Sequence, residues 1–306
     1  MNWKIGRSVG RDILDTAFFA ALKVNGIDSV ELSMPQDKYD TYDYAAIRSC
    51  AEEAGVEIFS FHLPFLPFEK LDPSAPDEAL RISTVAIQKR MLDHAATAGA
   101  KVAVIHPSGE PYEEEERPLR MAQSKRSLAE LCGYAETLGI RLAVENLPRT
   151  CLGRDSADML ELTSADERLV ICFDTNHLLS EDPVEFIHKC GHKIVTLHVS
   201  DYDRLDERHW LPGEGNTDWP ALVQALREVG YSGVWNYEVT TDPNSNQTPS
   251  YTRTNAMYRQ NAEEVLGGKP ITVRARPVEA LLDWQEKARR RAEEKRLAAL
   301  KAQNAK

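Results

Sequence analysis

With 306 residues and a formal net charge of −11, the chain has a composition that argues against a nucleic-acid backbone as its principal partner. No run approaches the ~20 apolar residues of a membrane span. AFFAAL at 17–22 reads as one helix face and MNWKIGRSVGRD lacks a signal-peptide core, so a soluble cytoplasmic protein is expected. Five cysteines (Cys50, Cys132, Cys151, Cys172 and Cys190), odd in number and without CxxC spacing, argue against a disulfide framework and a thiolate zinc site.

Short apolar runs of β type alternate with longer amphipathic patterns through residues 1–266. Strands are expected near Lys4–Ser8, Ser29–Leu32, Val56–His62, Val102–His106, Arg141–Glu145, Leu169–Asp174, Ile194–Ser200 and Val234–Val239. Helices are expected over roughly 12–24, 42–54, 77–98, 120–138, 156–164, 183–190, 218–229 and 251–266. Glycines in AGV (54–56), LGI (138–140) and VGYSG (229–233) mark helix-to-strand boundaries. Strict βα alternation with eight strands predicts an α/β fold, the closed (β/α)8 TIM barrel, over 1–266; a doubly wound open sheet is the alternative. Residues 241–250 (TDPNSNQTPS) read as a loop. Residues 267–306 read as a linker followed by a charged C-terminal helical tail, packing on the barrel or on a neighbouring subunit of a homo-oligomer.

The chemistry sits at the strand ends. Glu31, His62, His106, Glu145 and Asp174 each close a strand, His198 lies in the seventh, and Glu238 falls at the end of the eighth. Any one of these has an ordinary structural explanation, a cap or a core-edge hydrogen bond. Together they would converge on the face where barrel enzymes build their sites. A ring of carboxylates repels itself without a cation, and carboxylate with imidazole is a metal-ligand set.

VENLP (144–148), CFDTNH (172–177), TLHVSDYD (196–203), LPGEGNTDWPAL (211–222) and YSGVWNYEV (231–239) carry a resemblance. The chain resembles the sugar isomerase/epimerase superfamily of xylose-isomerase-like barrels, which includes ketose 3-epimerases, inosose dehydratases and endonuclease IV. The resemblance implies one divalent ion held by Glu145, Asp174, His198 and Glu238, with Glu145 and Glu238 also shuttling protons. It places substrate contacts at His177 and Arg204, though Arg204 stands in a longer loop than in the ketose epimerases. The endonuclease-like subgroup binds further zinc ions, whose ligand positions fall on His62, His106, His177, Glu207 and His209, with Glu207 where that subgroup has aspartate. In a one-ion site His62, His106 and His209 become substrate contacts.

A mostly hard-oxygen donor set favours Mn²⁺ or Mg²⁺, with Co²⁺ or Zn²⁺ as substitutes. The implied reaction is isomerisation or epimerisation of a sugar or polyol by proton transfer through a metal-stabilised enediolate. A lyase or dehydratase (inosose dehydratase-like or C-glycoside-cleaving) shares the first step, and an endonuclease IV-like phosphodiesterase is a further alternative. Trp219 is expected to pack beneath its loop, and Gly213 and Gly215 to serve the turn, since PGEGN lacks P-loop spacing. His94, His188 and His192 read as surface residues. Phe65, Leu66 and Phe68 form either an apolar lip over the site or a loop folded on the rim.

Overall fold

The computed structural model describes residues 3–239, 253–274, 286–287, 289–290 and 293. Eight strands alternate with eight α-helices: β1 Ile5–Val9, α1 Thr16–Val24, β2 Ser29–Leu32, α2 Tyr44–Ala54, β3 Glu57–His62, α3 Glu78–Thr97, β4 Val102–Ile105 and α4 Arg117–Thr137 come first. They are followed by β5 Arg141–Glu145, α5 Ser156–Thr163, β6 Val170–Asp174, α6 Pro183–Cys190, β7 Ile194–His198, α7 Trp219–Glu228, β8 Trp235–Tyr237 and α8 Asn255–Leu266. The sheet runs β7-β6-β5-β4-β3-β2-β1-β8, every pair parallel. A bridge between Val199 and Tyr237, with Val199 N donating to Asn236 O at 2.8 Å, brings β7 against β8. The chain is a TIM barrel, and the open-sheet alternative falls.

Aspartate side chains start six of the helices. Asp15, Asp43, Asp77, Asp155, Asp182 and Asp218 each accept a backbone N–H of the first turn, satisfying donors that the helix leaves unpaired. Asp15 moves the start of α1 to Thr16, so 12–15, expected as helix, precede it. Gly55 ends α2 at φ 69°, the left-handed value that a side chain resists. Short 3₁₀ turns at Tyr39–Thr41, Glu114–Glu116 and Gly191–Lys193 were not anticipated. The loop at 241–250 lies outside the described residues, as does all of the tail at 275–306 except 286–287, 289–290 and 293.

The large apolar core lies between barrel and helices, with Phe19, Leu22, Phe61, Leu92, Leu131, Phe173 and Phe186 fully buried. A separate small cluster of Val102, Val104, Ala143 and Cys172 lies within the barrel. Side chains alternate along a strand, so Val104 is followed on the same side by His106, Ala143 by Glu145, and Cys172 by Asp174. The lower layer is apolar and the layer above it is ionisable. Cys132, Cys151, Cys172 and Cys190 are buried free thiols and Cys50 is partly buried, as the odd count suggested.

Candidate metal centre

Ladder register brings the ionisable layer together. Glu145 is aligned with Cys172, and Asp174 with His198 on the next strand. Glu238 follows β8, where its N–H donates to Val199 O at 3.1 Å. One atom from each of Glu145, Asp174, His198 and Glu238 lies within 4.8 Å of the others. His198 Nδ1 is 3.1 Å from Glu145 Oε1, 3.3 Å from Glu238 Oε2 and 3.8 Å from Asp174 Oδ2. On its other edge His198 Nε2 meets Glu31 Oε1 at 2.9 Å. Glu31 is fully buried and also accepts from Ser8 (2.9 Å) and Ser60 (2.8 Å). With Nε2–H donated to Glu31, Nδ1 faces the cage and would offer its lone pair there to an ion that displaces its proton.

The cage fits a divalent cation on its own chemistry. Asp174 Oδ2 is buried and accepts no hydrogen bond, while Oδ1 accepts from Asn176 N at 2.6 Å. A buried carboxylate oxygen without a donor is costly, and a cation removes that cost. Burial, with the charge of Glu145 beside it, raises the Asp174 pKa. Burial likewise raises that of Glu238, against the pull of His198 and His209. Burial acts the same way on Glu145, but there His198 and His106 outweigh it and hold the carboxyl well below its usual range.

The remaining expected residues surround this cage. His62 Nε2 and His106 Nε2 each stand 3.2 Å from Glu145 Oε2. Phe65 stacks on the His106 ring at 4.1 Å between centroids, and Gln36 Oε1 accepts from the backbone N–H groups of Phe65 and Leu66. Phe65 thus reaches the site histidines, while Leu66 is exposed and Phe68 lies beside Gly109 in the loop after β4. His177 donates from Nδ1 to Asn146 O at 2.9 Å, which leaves Nε2 facing Glu207 Oε2 at 3.7 Å. His177, Glu207 and His209 form a second group whose donor atoms lie within 4.8 Å of one another. His209 is held in the left-handed region (φ 51°), with Nδ1 3.1 Å from the Glu238 carbonyl. Arg204 is placed apart: its guanidinium is 3.9 Å from Asp182, on the rim, and 37% exposed.

The loop after β7 is organised by Asp201, which sequence reasoning passed over. Its carboxylate accepts from Gly213 N (2.7 Å), Trp219 Nε1 (2.9 Å), Tyr202 N (2.9 Å) and Thr217 N (3.2 Å). A side chain on Gly215 would sit 2.2 Å from Tyr202 O. The PGEGNTDW motif is therefore a turn wound on a buried carboxylate, and Trp219 packs beneath it. The arginine nearest the second group is Arg149, also unanticipated, whose Nη1 is 3.1 Å from Glu207 Oε2. The spacing ENLPR held the signal: four residues after Glu145 the chain still runs along the mouth of the barrel. His94, His188 and His192 stand away from the mouth, His94 on Asp40 and His188 on Glu228.

The family described as xylose isomerase-like TIM barrel matches residues 19–263, and the chain belongs to it. An uncharacterized protein of Methanocaldococcus jannaschii is 30% identical over 181 residues, 56% of this chain and 62% of that one. Fructoselysine 3-epimerase of Escherichia coli O157:H7 is 28% identical over 174 residues, 54% of this chain and 62% of its own length. The matched stretch thus spans about six tenths of these two relatives. D-psicose 3-epimerase of Enterocloster bolteae is 27% identical over 224 residues, 68% of this chain and 71% of the relative. Among solved structures, a D-tagatose 3-epimerase-like protein superposes with TM-score 0.70 at 22% identity, covering 86% of this chain and 97% of that one. At that identity the likeness speaks to the fold. Among the described residues no helix is long and apolar enough to cross a membrane.

Proposed function

We propose that the chain is a divalent-metal-dependent isomerase or epimerase of a sugar or related polyol. The observation that carries this reading is the cage itself, with Glu145 and Glu238 carboxylates on His198 Nδ1 at 3.1 and 3.3 Å and an unpartnered Asp174 oxygen beside them. The names of two relatives, fructoselysine 3-epimerase and D-psicose 3-epimerase, support it. Glu145, Asp174, His198 and Glu238 would hold the ion, Mn²⁺ in preference for so carboxylate-rich a set. When bound, such an ion polarises a carbonyl and makes the neighbouring carbon acid enough to lose a proton.

The two glutamates differ in a way suited to proton exchange. In the metal-free chain His198 and His106 keep Glu145 ionised, and a carboxylate so placed could receive the proton from a substrate whose carbon the ion has made acid. Burial raises Glu238 in the metal-free chain; with an ion bound both glutamates would be ionised when free, and Glu238 would return a proton that it gains only during turnover. In the reverse direction the roles exchange. Glu238 is 23% exposed at the mouth, which lets it trade its proton with solvent, whereas Glu145 is sealed beneath His62 and His106. His177 and His209 line the approach and supply hydrogen bonds to substrate hydroxyls. A lyase outcome would begin with the same proton removal and differ only in whether a leaving group departs.

A second reading rests on the group of His177, Glu207 and His209. Filled with further cations, it would suit phosphodiester hydrolysis, where two metals clamp the attacking and leaving oxygens. The net charge of −11 weighs against a polynucleotide substrate. The test is to load the purified chain with Mn²⁺ and follow free ketoses, keto-glucosides and inososes by NMR. A new epimer or isomer supports the first reading. Dehydrated products support the lyase, and cleavage of a phosphodiester with no action on any sugar would favour the second reading.

A further inference from the structure

The two donor groups at the mouth are not equivalent. In the cage, Asp174 Oδ2 is buried and accepts nothing from the protein. In the second group, Glu207 Oε2, the oxygen facing His177 Nε2, is already ion-paired with the Arg149 guanidinium, whose Nη1 stands 3.1 Å away. Arg149 is fixed there from three sides. Its Nη1 also donates to Asp206 Oδ1 at 2.8 Å, and its Nε and Nη2 fork onto Glu110. The backbone at Arg149 is left-handed (φ 57°), a strain that surrounding contacts must maintain. Three loops, after β4, β5 and β7, thereby converge on one cation that the chain itself supplies.

We infer that Arg149 is the resident cation of the second donor group, and that it limits the chain to one divalent ion by neutralising Glu207. A guanidinium within hydrogen-bond reach of a carboxylate oxygen supplies the partner that a metal would otherwise supply. It also repels a divalent ion brought to the same oxygen, at a distance where Coulomb forces are strong. Glu110 and Asp206 keep the arginine in place, so the second group cannot take an ion without breaking a three-carboxylate network. The inference rests on the reading of the cage as the occupied site. It makes Arg149 a positioning residue whose effect is on ion number.

The experiment is to equilibrate the full chain with Mn²⁺, and separately with Zn²⁺, remove free ion by gel filtration, and count bound ions by elemental analysis. The native chain should hold about one ion and Arg149→Met about two, the loss of one positive charge opening the second group. Arg149→Lys, which keeps the charge, should stay near one. Glu207→Gln should also stay near one, because the native second group is empty. Circular dichroism establishes that each variant is folded. If Arg149→Met does not fold, Glu207→Gln carries the test: loss of an ion overturns the inference and retention supports it. A native chain holding two or more ions, or a folded Arg149→Met still holding one, overturns it. Should the native chain take up none, the cage reading has failed. Arg149→Met then gaining an ion still supports the inference, and gaining none overturns it.

Discussion

His198 Nε2 and Glu31 Oε1 meet at 2.9 Å beneath the cage, both side chains fully buried. The contact decides which imidazole nitrogen is left for a metal: Glu31 keeps a proton on Nε2, while Nδ1 faces the carboxylates that would share an ion with it. Ser8 and Ser60 hold the other face of Glu31. Glu31→Gln keeps the shape and weakens this orienting bond. It should lower Mn²⁺ affinity by about 10- to 100-fold, the usual cost of losing a group that orients a ligating histidine, with the fold retained. Isothermal titration of both chains measures it, and unchanged affinity would remove Glu31 from the account.

His198→Ala and His177→Ala should differ. His198 is inside the four-residue cage, whereas His177 is bonded to the Asn146 carbonyl and faces Glu207. Elemental analysis should find His198→Ala nearly free of metal and His177→Ala retaining most of it, with turnover lost in both. Equal loss of metal would draw His177 into the ion's coordination.

Stability of the ion-free protein should fall as pH rises from about 6.5 to about 9, the span over which His62 loses its proton. Burial opposes the charged form of His62, yet Glu145 outweighs it and raises the His62 pKa from 6.5 to about 9. Its contribution is full below 6.5 and is lost as pH climbs towards 9. Asp174 acts in the same sense: its raised pKa means the folded state keeps a proton that the unfolded chain gives up above about 3.8, so deprotonation costs stability. A bound cation replaces those protons. Thermal melts should therefore show an alkaline decline without metal and a Mn²⁺ increment that grows with pH. A flat profile without metal would contradict this electrostatic picture.

Asp201→Ala should destabilise the fold without emptying the cage. It removes the acceptor of the Trp219 indole and of three backbone N–H groups in a turn wound on a fully buried carboxylate. A loss of about 3 kcal/mol is expected from stranding such donors, read as an earlier urea midpoint. Metal content per folded chain should be unchanged; its loss would make Asp201 part of the site.

The barrel and its ring of ionisable strand ends were legible in the sequence because strand parity and strand ends are local features, whereas the choice of four of them as a ligand set came from the resemblance. Glu145, Asp174 and His198 each terminate an apolar run, and the parallel ladder then has only one way to align them. Arg149 and Asp201 were not legible, since their importance lies in partners from distant loops, Glu110 and Asp206 for one and Trp219 for the other. Arg204 was expected at the substrate and lies beside Asp182. A left-handed residue (φ 61°) in a loop of this length turns its side chain in a direction that spacing alone does not fix. Glu31 was noted as a strand end, but its pairing with His198 depends on closure between the two sides of the barrel.

The central claim is that Glu145 and Glu238 exchange a proton with a carbon of the substrate while both belong to the cage. Its most direct test is solvent isotope incorporation. The Mn²⁺-loaded chain is incubated in deuterated water with the sugar found active by screening, and the carbon beside the carbonyl is read by NMR. The native chain should place deuterium at the carbon that changes configuration. Glu145→Gln and Glu238→Gln, with metal bound, should each turn over about 10²- to 10⁴-fold more slowly, the usual contribution of a general base. Either variant, metal-loaded and working at the native rate, would contradict the two-carboxylate mechanism.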